Sequence, residues 1–181
     1  VPGTPAKDYL NLKTDTLFEI GLTPNRVDAA SFIGVARDLS AYLRANNMGG
    51  ELTLPSVEEF EAKLAAAPKE GAVKVTVNAK EAAPRYSGLT IKNVKVTESP
   101  DWLKSKLMTI GVRPINSIVD ITNYILHETG QPLHCFDVKE IAGNTVVVKT
   151  LPEGTPFVTL DGVERKLSDK DLMICNQNEG M

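Results

Sequence analysis

On either side of the short stretch Pro68-Lys69-Glu70-Gly71 the sequence obeys two different periods. Upstream, Phe32, Val35, Ala36, Leu39 and Leu43 recur at helical spacing, which predicts a helix capped by Asp28 and stopped at "NNMGG". Ser56 and Glu59 stand as a capping box, with Val57, Phe60, Leu64 and Ala67 on the face of a second helix. A loosely alternating segment over residues 15–22, "DTLFEIGL", predicts a short leading strand.

Downstream, alternation takes over. "AVKVTVNA" and "RYSGLTIKNVKVT" read as strands, as do "NTVVVKTL" and "DLMICN", and "FVTLDGVERKL" reads as a hairpin turning at Asp161-Gly162. Two helices interrupt them. One starts with Ser99 as N-cap and Pro100 in the first turn, carries Leu103, Leu107 and Ile110 inward, and stops at Gly111. The other covers residues 116–129, with Ile118, Ile121 and Ile125 on one stripe and Gly130 as its stop. The fold class is therefore mixed α/β: a small helical module over residues 1–68, then a mixed-sheet α/β module over residues 69–181.

Composition removes several classes of function. With 42% hydrophobic and 24% charged residues the chain has the make-up of a globular protein. A net charge of -3 lacks the basic excess of a module that binds nucleic acid chiefly by neutralising phosphates, so contact with RNA is expected to be local. No apolar run approaches the roughly 20 residues of a membrane-spanning helix, and "VPGTPAKDY" lacks the features of a signal peptide, which predicts a cytoplasmic protein. The start at Val1 and the stop at "CNQNEGM" are those expected of a piece of a longer polypeptide.

Cys135 and Cys175 are the only cysteines and His127 and His134 the only histidines. "HETGQPLH" resembles the H-E-x-x-H zinc motif, but Gly130 and Pro132 break any helix between its histidines, and His134 and Cys135 as neighbours point to opposite faces. Neither a metal site nor a disulfide is expected. A thiol nucleophile at Cys135 would need a base better placed than its neighbour, so both cysteines are expected to be small buried hydrophobes.

The polar residues set into "IVDITNYILHE" are more informative. On a helix Asp120, Asn123 and Tyr124 share a face, which a solvated surface explains easily for Asp120. It explains Thr122 and Asn123 only in part, because apolar residues surround them. Arg113, before Pro114, is a candidate for a phosphate or carboxylate partner. Arg113, Thr122, Asn123 and His134 thus form a candidate polar pocket, its purpose open on these grounds.

"FEIGLTPNRVDAASFIGVARDLSAYL", "RYSGLTIKNVKV", "GVRPINSIVDITNYILHETGQPLHCFDVKEIAG" and "TLDGVERKLSDKDLMI" resemble, in order, the β-subunit family of bacterial phenylalanyl-tRNA synthetases. The resemblance implies an editing module that hydrolyses tyrosine wrongly attached to the phenylalanine tRNA. It carries the family's pocket onto Arg113, Thr122, Asn123 and His134: His134, Thr122 and Asn123 as catalytic residues and Arg113 as substrate-binding, on the tRNA 3′ end. It also implies no cofactor in this piece, ATP and Mg being expected only in the whole enzyme, with an α subunit as partner in an α2β2 assembly. The family's glycine-rich loop and glutamate, which help to form the pocket, are expected beyond Met181, so that the isolated piece has little or no activity. The alternative is a non-catalytic scaffold or a tRNA-contacting module of the same synthetase.

Overall fold

The structure, a computed structural model, describes residues 2–10, 14–68 and 70–178. Its elements are mixed α/β, as expected, but contacts group the chain into two interleaved units. The first comprises the residues up to Pro55 together with Lys95–Cys135, and the second Ser56–Val94 together with the residues from Phe136. The expected sequential division at residues 68 and 69 followed local periodicity, whereas tertiary contact returns later helices to the first unit. Lys69 itself and residues 179–181 lie outside the described residues. Among the described residues no helix is long and apolar enough to cross a membrane.

Among the described residues the first unit holds four α-helices: α1 (Ala6–Tyr9), α2 (Phe32–Ala45), α4 (Asp101–Thr109) and α5 (Ser117–Thr129). The leading strand does not form. Residues 15–22 run without strand pairing and leave Leu17, Phe18 and Ile20 exposed, because alternation makes a segment strand-capable but a ladder needs a partner. The Lys106 ammonium meets Asp15 at 2.7 Å, and that hydrogen bond holds the Asp15 carboxyl below its usual range.

The entry to α2 is rebuilt relative to expectation. Arg26 forks onto Asp28 at 3.0 and 3.1 Å and onto Asp38 at 2.6 and 2.8 Å, so Asp28 serves a loop clamp and a 3-10 turn, Val27–Ala29. The N-cap is instead Ser31, whose hydroxyl accepts from the Gly34 N–H at 3.0 Å. The buried face also shifts: Phe32 is 75% exposed and Leu39 exposed, while Gly34 is buried and Val35, Ala36 and Leu43 are half-buried. A Cβ on Gly34 would stand 2.4 Å from the Asp28 carbonyl oxygen and 2.7 Å from the Ala29 Cα. Gly34→Ala is therefore expected to destabilise the chain by about 1–3 kcal/mol, read from the shift of a urea midpoint, because backbone has to move to admit one methyl group. The expected stop at "NNMGG" does form: Met48 N–H returns to the Leu43 carbonyl at 2.8 Å, and Asn47, Gly49 and Gly50 take positive φ.

Helix α4 begins one residue later than expected, with Pro100 in the N-cap position, because the Ser99 hydroxyl is engaged elsewhere. Leu103 and Leu107 are 1% exposed and form its inner face against α5, but Ile110 faces partly outward. Trp102 packs edge-on against Tyr124 of α5, ring centroids 5.6 Å apart.

Among the described residues the second unit holds α3 (Glu58–Ala66) and five short strands: β1 (Lys74–Val77), β2 (Thr145–Thr150), β3 (Pro156–Val158), β4 (Glu164–Lys166) and β5 (Leu172–Cys175). The capping box is not formed. Val57 occupies the N-cap without a side-chain bond, Ser56 accepts from Glu58 N–H at 3.3 Å, and Glu59 pairs with Lys63 one turn on. The helix buries no residue, and Phe60 and Leu64 of the expected inner face are exposed.

The sheet has the order β1-β2-β5, with β1 parallel and β5 antiparallel to the central strand. Val146 and Val148 alternate onto its buried face, and Cys175 is buried on the partner strand, where burial pushes its thiol up. The β3–β4 hairpin turns at Asp161-Gly162 as expected, with Gly162 at φ 77°. Residues 85–97 do not form the expected strand; they run without strand pairing, with the Thr90 hydroxyl accepting from Val73 N–H at 3.0 Å.

Candidate functional site

Helix α5 carries the middle of the candidate site, and its ends are fixed by side-chain and backbone chemistry visible in the sequence. The Asn116 carboxamide oxygen accepts from Ile118 and Val119 N–H at 3.0 and 3.1 Å, two of the donors that a helix start leaves without partners. Gly130 ends the helix at φ 79° and donates to the Leu126 carbonyl at 2.8 Å. A Cβ there would meet Ser31 Cβ at 3.4 Å, so the C-terminal end of α5 lies against the start of α2. Asn116→Ala should lower stability by about 1 kcal/mol in a chemical denaturation series, with Asn116→Asp retaining most of it.

The inward face of α5 differs from expectation. Asp120, expected on a solvated face, is 0% exposed, and Ile121, expected inward, is 48% exposed. Helical phase alone placed Asp120 with Asn123 and Tyr124. The segments that fold over that side supply the carboxylate's partners: the Ser99 hydroxyl donates to Asp120 Oδ2, and Ile115 N–H donates to Oδ1 at 2.8 Å. Sequence reasoning missed this residue's importance. The one available signal was a carboxylate in an otherwise apolar run.

The four expected site residues all fall in the first unit. Thr122 and Asn123 are adjacent and half-buried in the middle of α5. Thr122 donates its hydroxyl proton to the Val119 carbonyl at 2.7 Å, which leaves the oxygen able to accept from a ligand. Tyr124 next to them donates to Glu128 Oε1 at 3.1 Å; burial, reinforced by that bond, pushes its phenol up.

Arg113 and His134 are exposed and flank the helix along the chain, one before its first turn and one after its last. Thirteen residues at about 1.5 Å each make α5 about 20 Å long, so this helix alone does not bring the two together. Arg113 lies in a segment pinned at both ends: Val112 N–H donates to the Leu107 carbonyl at 2.9 Å, and Ile115 N–H is the one held by Asp120. His134 lies beyond a turn in which the Gln131 N–H donates to Thr129 Oγ1 at 3.2 Å.

Cys135, expected to be buried, is exposed, because the residues after Gly130 run along the surface. Among the described residues no group of three or more His, Cys, Asp or Glu side chains is placed to hold a metal ion.

Comparison with known proteins places this geometry in context. The B3/4 domain family matches residues 82–181, which include all four expected site residues and Asp120. Over all 181 residues the chain is 59% identical to the phenylalanine–tRNA ligase beta subunit of Bacteroides fragilis, covering 22% of that protein. It is 53% identical over 176 residues to that of Porphyromonas gingivalis, covering 97% of the chain and 21% of the relative. To that of Salinibacter ruber it is 45% identical over 183 residues, covering 96% and 20%. The chain thus spans about a fifth of the length of these relatives.

Proposed function

Because the chain belongs to the B3/4 domain family, we propose that it forms part of a phenylalanine–tRNA ligase β subunit and hydrolyses tyrosine mistakenly esterified to the phenylalanine tRNA. One observation carries this reading: a 59% identity to such subunits that runs through the whole chain, the B3/4 region with Arg113, Thr122, Asn123 and His134 included.

The reaction is attack of water on the ester carbonyl, passage through a tetrahedral oxyanion, and release of tyrosine as the terminal ribose oxygen takes a proton. Water placement and charge stabilisation suffice for it, without a covalent nucleophile. His134 orients the water or the terminal ribose. The Thr122 oxygen, its own proton committed to Val119, accepts from the amino group of the esterified amino acid. Asn123 offers both an amide donor and a carbonyl acceptor to the ester. Arg113, exposed on its pinned segment, pairs with a phosphate of the tRNA 3′ end.

The separate site has a physical purpose. An aromatic pocket that accepts phenylalanine rejects tyrosine only weakly, whereas a site built to hydrogen-bond the extra hydroxyl rejects phenylalanine by orders of magnitude. This reading assigns the chain to the cytoplasm with an α subunit as partner in an α2β2 synthetase. It leaves ATP and Mg to amino-acid activation elsewhere in that enzyme.

A second reading, a non-catalytic scaffold or tRNA-contacting module, is favoured by one observation, the placement of Arg113 and His134 beyond opposite ends of α5. A non-hydrolysable adenosine bearing tyrosine in amide linkage at the 3′ position separates the two. Titrated against the whole synthetase, it should bind at least about 10-fold more tightly than its phenylalanine counterpart, the difference a buried hydroxyl partner supplies. Equal binding of the two analogues, unaffected by Thr122→Ala and Asn123→Ala, would favour the scaffold.

A further inference from the structure

Asp120 is a carboxylate with no exposed surface and no ion pair among the described residues. Burying such a group is costly unless its oxygens are bonded, and here each oxygen has one partner from a different segment. Oδ2 holds Ser99 at the entry to α4, and Oδ1 holds the backbone N–H of Ile115. The second bond ties the segment that leads into α5 back onto the helix. Val112 is tied to Leu107 at one end, Ile115 to Asp120 at the other, and between them stands Arg113, restricted to extended backbone by the proline that follows it.

We infer that Asp120 is a positioning residue, which by holding Ile115 N–H aims the exposed Arg113 guanidinium at a phosphate of the tRNA 3′ end. The inference rests on the proposed reading of Arg113. It assigns the two arms of the carboxylate different tasks: the Ser99 arm joins α4 to α5, and the Ile115 arm serves the ligand.

The test uses the whole synthetase and Tyr-tRNA hydrolysis at several salt concentrations. Arg113→Ala should raise KM about 10-fold with little change in kcat, and should flatten the plot of log KM against log salt by about 0.7, the loss of one phosphate contact on a single strand. Asp120→Val should do the same. Asp120→Asn keeps an oxygen for Ile115 N–H and should stay near wild type in KM and in slope. Ser99→Ala should lower stability but leave the salt slope unchanged.

In the Arg113→Ala background, Asp120→Val should add nothing to KM, since both changes remove one contact. If Asp120→Val fails to fold, Ile115→Pro deletes the same N–H from an exposed residue and should reproduce the rise in KM and the flatter slope. A folded Asp120→Val or Ile115→Pro enzyme with wild-type KM and slope, beside an Arg113→Ala enzyme that has lost both, would overturn the positioning role while leaving the site reading intact. Wild-type behaviour of Arg113→Ala itself would overturn the reading of Arg113 and the inference with it.

Discussion

Replacing Leu103 with Ala should lower the free energy of unfolding by about 2–5 kcal/mol, the usual range for a fully buried leucine. Leu103 and Leu107 are the large aliphatic side chains with almost no exposed surface in the first unit, and both lie between α4 and α5. Deleting three carbons there leaves a cavity beside the helix that carries Thr122 and Asn123. Ile110→Ala, one turn on and 40% exposed, should lose about 1 kcal/mol or less by comparison. Urea denaturation of the two variants checks the contrast: similar midpoints would mean that α4 does not pack through the face carrying Leu103.

In the whole synthetase, His134→Ala should slow hydrolysis of Tyr-tRNA by about 10²-fold or more, the range for losing a positioning or acid–base contact. Phenylalanine activation should be untouched, because on the proposed reading it belongs to another site. His134 is exposed and lies outside α5, and the unfolding midpoint of the variant separates loss of chemistry from loss of structure. His134→Gln should retain more of the rate than His134→Ala, since an amide can still donate and accept. Joint loss of activation, editing and stability in His134→Ala would instead mark a structural histidine.

Local chemistry with a strong backbone requirement was legible in the sequence. The Gly130 stop, the "NNMGG" stop and the Asp161-Gly162 hairpin turn each depend on residues a few positions apart, and each formed within a residue or two of expectation; β1, β2 and β5 also fall on the expected alternating runs, where distant partners complete the ladder. Features that depend on distant partners were not legible. Asp28 and Ser99 both resemble N-caps, but Arg26 claims the first and Asp120 the second, so the caps fall on Ser31 and Pro100. Residues 15–22 and 85–97 alternate as strands do, and no strand among the described residues pairs with them. At the site, Thr122 and Asn123 could be placed together by helical phase. The burial of Asp120 could not, because it is created by the Ser99 and Ile115 segments, 21 and 5 residues away in sequence.

An editing site must distinguish tyrosine from phenylalanine once each is attached to tRNA. Single-turnover hydrolysis of Tyr-tRNA and Phe-tRNA, both on the phenylalanine acceptor, by the wild-type synthetase and its Thr122→Ala, Asn123→Ala and His134→Ala variants tests this directly. Tyr-tRNA should be hydrolysed at least about 10²-fold faster than Phe-tRNA by the wild type, a preference of the size a hydroxyl-reading site can deliver. Hydrolysis of Tyr-tRNA should slow in all three variants while amino-acid activation persists, because the water, ribose, amino group and ester are what these residues hold. Hydrolysis of the two esters at equal rates by the wild type, or Tyr-tRNA hydrolysis unchanged in every variant, would contradict the assignment of editing to these residues.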